Sequence, residues 1–570
     1  MKVSDYIVEF FISKGITDVF GYPGGMTTHL MDSFNKYKDS IKSHVNYHEQ
    51  ASSFAACGYA QSSLKPGVAY ATSGPGATNM VTGICNAYFD SIPVIFVTGQ
   101  VNTYESKEGL NVRQKGFQET DIVTMTNICT KYSTKIVSEY DIKYELEKAY
   151  SIAMSGRPGP VLLDIPMNIQ RMEINLEDLK SYEEESIEYN VDDMVSLIYQ
   201  ELEKSKKPCI LAGAAIQNSG MVDVFRKLIS NLKIPVVTSM IAIDTINRND
   251  EYNFGFIGAY GMRYSNFILS KCDLVITLGT RLDVRQTGVT KENFATNAKI
   301  IRIDIDEGEL TNKIHKDEIQ LISDLKTILP NLYAESKEWM AKGINFYKWL
   351  DTCNIMKKKL ANIDERYPNK IIRKLSECIP SDSIITTDVG QNQVWIAQSI
   401  EVDNMRVLFS GGHGAMGYSL PASIGAYYGT KKNVISCNGD GGIQMNLQEL
   451  QFIAREKLPI TILIFNNYSL GMIRHFQEMY FDKNYVQTNS TSGYTVPDME
   501  KIAFSYGIDY HKINKIEEMN VDIMTSETPK IIEIELSDTT YVFPKLAVGK
   551  LNQDQEPEID RDLYKELESL

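Results

Sequence analysis

The sequence predicts an α/β protein built from three doubly wound parallel-sheet domains. Short and nearly continuous apolar runs recur along the chain, as buried parallel strands require, and helical patterns separate them. At 570 residues the chain also exceeds what a single hydrophobic core usually supports, so three domains of ordinary size are the natural division.

The first domain is expected at residues 1–180. Its predicted strands are the apolar runs VAYATSG at 68–74, PVIFVTG at 93–99 and PVLLDIP at 160–166. The acidic segment YEEES at 182–186 has no apolar period and is interpreted as a linker to the next domain.

The second and third domains are expected at 190–335 and 365–540, with a tail at 541–570. The second contains the strand-like runs CILAGAA, IPVVTSM, LVITLGT and IIRIDID, and the third opens with SIITTDVG. The stretch 334–369, rich in Lys, Trp and Tyr, is predicted to be a helical connector.

The charge, the apolar runs and the cysteines of the chain limit the kinds of partner it is expected to bind. The net charge of −15 argues against nucleic acid or anionic lipid as a main partner. No apolar run approaches the length of a bilayer span, and the N-terminus begins with an amphipathic helical pattern rather than a signal core. The eight cysteines include no CxxC pair and are expected to be reduced, so a cytoplasmic protein without membrane contact is predicted.

The stretch 434–471 organises the chemistry. Two strand-like runs flank a segment in which Ile443, Leu447, Leu450 and Ile453 recur at helical spacing. In a strand–helix–strand unit the loops after the strands lie at the edge where open α/β sheets bind ligands. Asp440 falls in the first such loop and Asn467 in the second, a pair of oxygen ligands that suits Mg²⁺ carrying a diphosphate. The alternative is a glycine turn and a solvated Asn pair.

Gly439-Asp440-Gly441 followed by Asn466-Asn467 resembles the thiamine-diphosphate-binding motif of the pyruvate decarboxylase and acetolactate synthase superfamily. The resemblance implies that Asp440, Asn467 and the backbone carbonyl of Ser469 bind Mg²⁺. It also implies cofactor contacts from residues around the motif: Gly439, Gly441, Gly442, Gly471 and Met472.

Glu49 is the candidate catalytic residue of the first domain. A Glu at the start of a helix is usually only a favourable charge–dipole pairing. The segments HEQ at 48–50 and ATSGPGATN at 71–79 together closely resemble acetolactate synthase, and Gly74 and Asn79 lie in the second. The resemblance implies that Glu49 hydrogen-bonds N1′ of the cofactor's aminopyrimidine. A carboxylate partly withdrawn from water holds a proton there, which favours the imino form at N4′, the base for the thiazolium C2 proton.

Further segments match the family in order. FGYPGG at 20–25 resembles its loop beside the cofactor, and GFQETD at 116–121 resembles a segment whose Phe and Gln line the substrate channel. In the third domain TDVGQ at 387–391 and SGGHGAMG at 410–417 resemble two more cofactor loops. The resemblance therefore assigns catalytic positions to Gly25, Phe117 and Gln118, and cofactor contacts to Pro23, Gly24, Val389, Gly390, Gln391, Gly414 and Met416.

In the family the carbonyl at the Gly414 position accepts from N4′, and the residue at the Met416 position wedges the cofactor into a bent shape. The bend brings N4′ close to C2, a proximity effect that solution does not supply. The alternative for Met416 is ordinary core filling.

The second domain resembles the FAD-binding segments of anabolic acetolactate synthases. GTRLDVR at 279–285 and IDID at 303–306 carry the resemblance. It implies a diphosphate contact for Arg281 and a ribose hydroxyl contact for Asp304 or Asp306. The alternative is that these charges end a βα unit without any ligand.

The resemblance covers nearly the whole chain, and its departures concern the acceptor. Met26 and His29 stand where Ala and Pro are usual, Met167 replaces a Lys, and His413 replaces a Leu. Phe476 stands where the family has a Trp, after Arg474 and His475. The predicted acceptor site therefore comprises Met26, His29, His413, Arg474 and Phe476.

The predicted function is decarboxylation of pyruvate and transfer of the two-carbon unit to a second carbonyl, as in acetolactate synthase. One alternative is a carboligase that uses a larger ketone, such as a nucleotide-linked keto-sugar, for which Arg474 is a candidate phosphate contact. Another is a non-catalytic cofactor-binding scaffold. Thiamine diphosphate, Mg²⁺ and FAD are the expected cofactors, and the family implies a homodimer or homotetramer with active sites between subunits.

Overall fold

The computed structural model describes residues 1–184, 189–525 and 527–570, and three six-stranded parallel sheets organise them. Helices alternate with the strands in each sheet, so the predicted fold class is confirmed. Glu185 and Ser186 of the predicted linker lie outside the described residues.

The first sheet has the order β2-β1-β3-β4-β6-β5. Its strands are β1 (Asp18–Gly21), β2 (Lys42–Val45), β3 (Gly67–Ala71), β4 (Val94–Gln100), β5 (Tyr132–Lys135) and β6 (Val161–Pro166). The helices around it are α1 (Val3–Ser13), α2 (Thr28–Lys36), α3 (Glu49–Ser63), α4 (Pro75–Asn79), α5 (Val81–Phe89), α6 (Ile122–Thr126), α7 (Ile142–Met154) and α8 (Met167–Gln170). Strands β3, β4 and β6 are buried along their whole length, which is why they are continuous apolar runs in the sequence.

The second sheet has the order β12-β11-β10-β7-β8-β9, which is the doubly wound order 3-2-1-4-5-6 counted from its own first strand. Its strands are β7 (Pro208–Ala212), β8 (Val236–Thr238), β9 (Asn253–Phe256), β10 (Leu274–Leu278), β11 (Lys299–Asp304) and β12 (Ile319–Ile322). Its helices are α9 (Val191–Lys204), α10 (Ala215–Asn218), α11 (Val222–Leu232), α12 (Arg263–Lys271), α13 (Val284–Thr287), α14 (Glu307–Leu310), α15 (Leu325–Ala341) and α16 (Tyr347–Leu360).

The third sheet repeats the order of the first, as β14-β13-β15-β16-β18-β17. Its strands are β13 (Ile384–Thr387), β14 (Arg406–Phe409), β15 (Val434–Gly439), β16 (Ile460–Asn466), β17 (Asp509–Ile513) and β18 (Lys530–Glu535). Its helices are α17 (Tyr367–Cys378), α18 (Gln391–Ser399), α19 (Ser419–Thr430), α20 (Asp440–Ile443), α21 (Glu449–Arg455), α22 (Gly471–Tyr480), α23 (Met499–Tyr506) and α24 (Val521–Met524).

Short 3₁₀ turns complete the connections. They are Gly25–Thr27, Thr103–Glu105, Asn127–Cys129, Glu139–Asp141, Leu176–Asp178, Met240–Ala242, Lys291–Asn293, Gln444–Asn446, Ser490–Ser492 and Ile516–Glu518. One of them breaks the helix predicted between β15 and β16 into α20 and α21, a difference that periodicity cannot reveal because the apolar spacing continues through the break.

The first and third domains pack through α3 and α19. A Cβ added to Gly425 would lie 1.8 Å from the carbonyl oxygen of Ala55, and one added to Gly58 would lie 2.1 Å from that of Ala422. The two helix backbones therefore touch directly, which only glycine at both positions allows.

The C-terminal segment runs from the third domain to the second. Lys545 forms an isolated antiparallel bridge with Glu556, and the N–H of Leu546 donates to the carbonyl of Ala259. The last helix, α25 (Arg561–Ser569), packs its Tyr564 ring against Phe267 of α12. Among the residues that the structure describes, no helix is both long enough and apolar enough to cross a membrane.

Candidate active site

Three loops at one edge of the third sheet form the first half of the site. They follow β13, β15 and β16, and the chain reverses its direction of travel across the sheet between β13 and β15. At such a switch point the loops diverge and leave a crevice, which is where doubly wound sheets bind ligands. The TDVGQ, GDGG and NN segments singled out in the sequence are these three loops.

Asp440 begins α20 at the floor of this crevice, and only 3% of its surface is exposed. Its carboxylate accepts from the Tyr494 hydroxyl (3.1 Å) and from the backbone N–H of Ser469 (3.2 Å). Burial raises the pKa of Asp440 to about 6, although these donors oppose the shift. A buried carboxylate whose described hydrogen-bond partners are neutral is well suited to a divalent cation.

The side-chain oxygen of Asn467 lies beside the same backbone N–H as the Asp440 carboxylate. Its Nδ2 donates to Oε1 of Gln391 (3.0 Å), while its Oδ1 accepts from the Ser469 N–H (3.3 Å). Oxygens of Asp440 and Asn467 thus converge on one backbone atom of Ser469. No group of three or more His, Cys, Asp or Glu side chains in the described ranges could hold a metal, but this set needs only one carboxylate beside an amide and a carbonyl oxygen.

Glycines let the backbone come close in this crevice. Gly471 begins α22, directly before Met472, and an added Cβ would lie only 1.9 Å from Oε1 of Gln391. Gly390, which follows Val389 after β13, has φ +131°, a conformation that side chains rarely adopt. The remaining predicted contacts lie in the same crevice at the end of β15 and in α20: Gly439, Gly441 and Gly442.

The loop 410–417 borders the crevice. A Cβ on Gly441 would lie 3.2 Å from Cε of Met416, so the Met416 thioether reaches the α20 turn. Gly414 has φ +68°, and a Cβ there would lie 3.6 Å from Val389. The structure therefore brings together the four segments of the third domain that the resemblance assigned to the cofactor, which follow β13, β14, β15 and β16.

Glu49 lies at the equivalent edge of the first sheet, as the first residue of α3. It is buried, and its Oε2 accepts from Nδ2 of Asn79 (2.9 Å). A Cβ on Gly76 would lie 3.2 Å from Oε1 of Glu49, which places the glycine-rich turn of 73–76 directly against the carboxylate. The two segments whose resemblance singled out Glu49 are therefore neighbours in space.

The other predicted residues of the first domain lie around the same turn. Gly24, which follows Pro23 and precedes Gly25, approaches Thr72, and its added Cβ would lie 2.3 Å from that side chain. Gly74 has φ +64° and packs against Gln118, which itself has φ +63°. The Phe117 ring is 80% exposed, so within this chain it projects into solvent beside the site.

The predicted acceptor residues are not gathered at one place within the chain. Met26 and His29 lie in the first domain near α2, whereas the other three lie in the third. The His413 ring stacks on Phe89 with centroids 5.7 Å apart, and the half-exposed Phe476 packs against Tyr480.

Arg474 is buried and occupied. Its guanidinium pairs with Asp538 at 3.0 Å, contacts the Tyr541 hydroxyl at 3.2 Å and lies over the Tyr485 ring. The residue after it, His475, stacks on Tyr541 with centroids 4.2 Å apart. These contacts bind α22 to the C-terminal segment, so the structure gives Arg474 an anchoring position rather than an open one.

A large cleft lies where the three domains meet, with about 1630 Å³ of space including its open mouth. Loops after β7 and β10, the switch point of the second sheet, form one wall through Ala214, Gly279 and Arg281, and Asp304 forms part of another. Asp306 is engaged elsewhere, since it pairs with Arg157 (2.9 Å) and caps α14.

Sequence reasoning missed three carboxylates beside these loops, of which Glu449 and Asp388 are buried and Asp90 is partly exposed. Glu449 accepts from Nδ2 of Asn46 (2.9 Å) and the N–H of Tyr47 (2.8 Å), and so holds the turn that leads to Glu49. Asp388 and Asp90 hold the loop of Met416. Asp388 lies inside the TDVGQ segment and was findable there, but Glu449 and Asp90 have partners more than 300 residues away and carry no local signal.

Comparison with known proteins agrees with this geometry. Residues 1–125, 195–332 and 388–534 match the N-terminal TPP binding, central and C-terminal TPP binding domains of thiamine pyrophosphate enzymes. Fold, site and matches together define a thiamine-diphosphate-dependent enzyme.

Similarity to individual proteins extends over nearly the whole chain. It is 37% identical to the acetolactate synthase large subunit of Lactococcus lactis subsp. lactis (strain IL1403), covering 96% of this chain and 94% of that protein. It is 32% identical to the acetolactate synthase isozyme 2 large subunit of Escherichia coli (strain K12), covering 97% and 99%, and 33% identical to a probable acetolactate synthase large subunit of Methanocaldococcus jannaschii, covering 96% and 94%. The chain belongs to the acetolactate synthase large-subunit family.

This membership confirms the predicted enzyme class. The chain is a thiamine-diphosphate-dependent carboligase of the type that decarboxylates pyruvate and transfers the two-carbon unit to a second carbonyl. The non-catalytic scaffold is thereby set aside.

Proposed function

We propose that the chain forms acetolactate from two molecules of pyruvate. The observation that supports this most is the pairing of a buried Glu49 with Asn79 at the carboxyl edge of the first sheet, together with the convergent Asp440 and Asn467 oxygens at the carboxyl edge of the third. A binding scaffold has no need of the Glu49 pair, whereas carboligation needs both Glu49 and the Asp440 and Asn467 oxygens. The named relatives over nearly the full chain support pyruvate as the acceptor.

For the metal, we assign Asp440, Asn467 and the Ser469 carbonyl as ligands of Mg²⁺. The donor set is one carboxylate and two neutral oxygens, typical of a hard cation that also carries a diphosphate. Gln391 holds the Asn467 amide with its oxygen toward this position, and its close approach is possible because Gly471 has no side chain. Gly390 leaves open space for phosphate oxygens beside it.

For proton transfer, Glu49 holds a proton at the aminopyrimidine, and Asn79 fixes the direction in which the carboxylate points. Gly414 and Met416 would orient the bound aminopyrimidine ring. Bound thiamine diphosphate supplies a nucleophilic thiazolium carbon and an electron sink for decarboxylation. We assign Gln118, Phe117 and the loop of Pro23 to Gly25 to the substrate side of this arrangement, where the exposed Phe117 ring is free to meet a substrate.

FAD is proposed for the cleft between the domains. The strand order of the second sheet and the glycine turn at Gly279 are those of a dinucleotide fold. Arg281 and Asp304 line the cleft, and the Ser239 hydroxyl in its wall has no hydrogen-bond partner among the described residues. These groups fit a diphosphate and polar ribose atoms, while Asp306 is already paired with Arg157.

The rival acceptor, a nucleotide-linked keto-sugar, loses support at Arg474. That guanidinium, the candidate phosphate contact, is buried against Asp538 and Tyr541. The substitutions at Met26, His29, His413 and Phe476 remain the reason to test acceptor choice.

The test is an assay of the purified chain with thiamine diphosphate, Mg²⁺, FAD and pyruvate alone. We expect CO₂ release and acetolactate in a ratio of one to one. Slow CO₂ release without acetolactate, accelerated by a larger ketone, would instead favour the rival carboligase.

We further propose a homodimer or homotetramer with active sites between subunits, and, because the relatives are named large subunits, assembly with a smaller subunit. The domain boundaries 1–180, 190–335 and 365–540 and a cytoplasmic location stay predictions from the sequence.

A further inference from the structure

A carboxylate of the first domain holds the start of the loop that carries Gly414 and Met416. Asp90 directly follows α5, and its Oδ2 accepts from the N–H of Gly411 (2.9 Å) while its Oδ1 accepts from the N–H of Gly412 (2.6 Å). Both oxygens of one side chain are therefore spent on two successive peptide groups. Charge-assisted bonds of this kind are among the strongest that fix a backbone.

Neighbouring contacts act on the same end of the loop. The Ser410 hydroxyl donates to Oδ1 of Asn86 (2.6 Å) and accepts from the Ala415 N–H (2.9 Å). A Cβ on Gly411 would lie 2.5 Å from the Ile241 side chain, so a bulkier residue does not fit there. The start of the loop is thus packed between the first and second domains.

The far end of the loop is fixed from within its own domain. Asp388 accepts from the N–H of Gly417 (3.1 Å) and of Ser419 (3.4 Å), and Asn446 donates to the Gly417 carbonyl (2.8 Å). Residues 413–416 lie between these two anchors. They include Gly414 and Met416, the two predicted contacts to the reacting half of the cofactor.

The surroundings of the Asp90 carboxylate differ from those of an ordinary structural contact. It is partly exposed and lines the cleft, yet its protein surroundings raise its pKa to about 6 by desolvation, against the opposing charges of Arg281 and Arg157. Arg281 is bonded to Asp283 and Arg157 to Asp306, so neither cation is hydrogen-bonded to Asp90 in the described structure. The carboxylate is instead directed at the two loop amides.

We propose that Asp90 is a positioning residue for catalysis, which holds the start of loop 410–417 so that Gly414 and Met416 keep the bound cofactor bent. The inference rests on the proposed roles of Gly414 and Met416. It predicts that Asp90 affects the chemistry of the bound cofactor and not only its binding, because a shift of about 1 Å in a positioning group can cost about 100-fold in rate.

The experiment measures hydrogen–deuterium exchange at thiazolium C2 by proton NMR, after quenching, with thiamine diphosphate, Mg²⁺ and FAD at saturation. In Asp90→Asn, an amide nitrogen faces one loop N–H and the loop shifts. We expect the exchange rate and kcat with pyruvate to fall together by about 10- to 100-fold, with little change in KM or in the thermal midpoint. Asp90→Ser, which leaves both amides to water, should show the same pattern and serves if the Asn variant does not accumulate.

Asp498→Asn is the control, since Asp498 is an exposed helix cap in the third domain and should leave exchange unchanged. Exchange at the wild-type rate in both Asp90 variants would overturn the proposal, as would a lowered thermal midpoint with normal exchange at saturating cofactor. Absence of exchange in the wild-type protein would count against the proposed function itself, so the two failures are distinguishable.

Discussion

At the scale of the residue, the site depends on a few carboxylates whose surroundings differ. Glu49 faces a neutral amide and a glycine turn, whereas Asp440 faces a hydroxyl and a backbone N–H. The first arrangement leaves an oxygen for a proton-carrying partner, and the second leaves room for a cation. Two similar groups can therefore serve different chemistry within one enzyme.

Glu49→Gln should separate proton transfer from binding. The amide keeps the size of the side chain and its contact with Asn79 but cannot hold a proton at the aminopyrimidine. We expect kcat for acetolactate formation to fall by about 100- to 10,000-fold, as for loss of a general acid–base group. Titration calorimetry should show binding of Mg²⁺ and thiamine diphosphate within a few-fold of wild type; a variant with wild-type kcat would remove Glu49 from the mechanism.

The sequence could reveal site residues that lie in contiguous segments. The loops at 439–442, 466–471 and 71–79 each contain glycine and oxygen-bearing side chains within a few positions, so local pattern and resemblance together identified them. Arg474 shows the opposite case. Its partners Asp538 and Tyr541 lie more than 60 residues further on, and nothing near it in the chain indicates that they cover it.

At the scale of the element, the turn before α3 is held from another domain. Glu449, the first residue of α21, is fully buried and binds Asn46 and the backbone of Tyr47. The broken helix matters here, because the 3₁₀ turn Gln444–Asn446 sets the direction of α21. Helical periodicity predicted an element in this region but not its break, where Asn446 donates to the Gly417 carbonyl and to Oε1 of Gln50, both distant in the sequence.

The pH dependence of the free energy of unfolding should reflect the protonation of Glu449. Burial raises its pKa from 4.5 to about 7, with Asn46, Tyr47 and the charge of Arg455 opposing the shift. Because the folded pKa is raised, the group's stabilising contribution is present below about pH 4.5 and is lost as pH rises through 7, by about 3 kcal/mol in total.

Urea denaturation of wild type and Glu449→Gln between pH 5 and pH 8 tests this. Gln resembles the protonated acid and does not titrate, so the stability of wild type relative to the variant should increase as the pH falls. A difference that stays constant across this range would show that Glu449 keeps an ordinary pKa in the folded protein.

At the scale of the whole molecule, the first and third sheets share one strand order, and each presents its switch point to a different half of the predicted cofactor site. The number and class of domains could be predicted from the apolar runs and the chain length, because buried parallel strands are nearly continuous apolar runs in the sequence. The packing of α3 on α19 could not be predicted, because the residues around Gly58 and Gly425 do not indicate which helix each glycine contacts.

Mixing two inactive variants should decide whether the active site lies between subunits. Glu49→Gln damages the first-domain half and Asp440→Asn the third-domain half. In a mixed dimer with sites between subunits, one site combines the intact Glu49 with the intact Asp440, and the other carries both defects. Random reassembly of equal amounts gives half mixed dimers with one active site each, so about a quarter of wild-type activity should return. If each chain instead completes its own site, every site in the mixture keeps one defect, and the activity stays at the level of the separate variants.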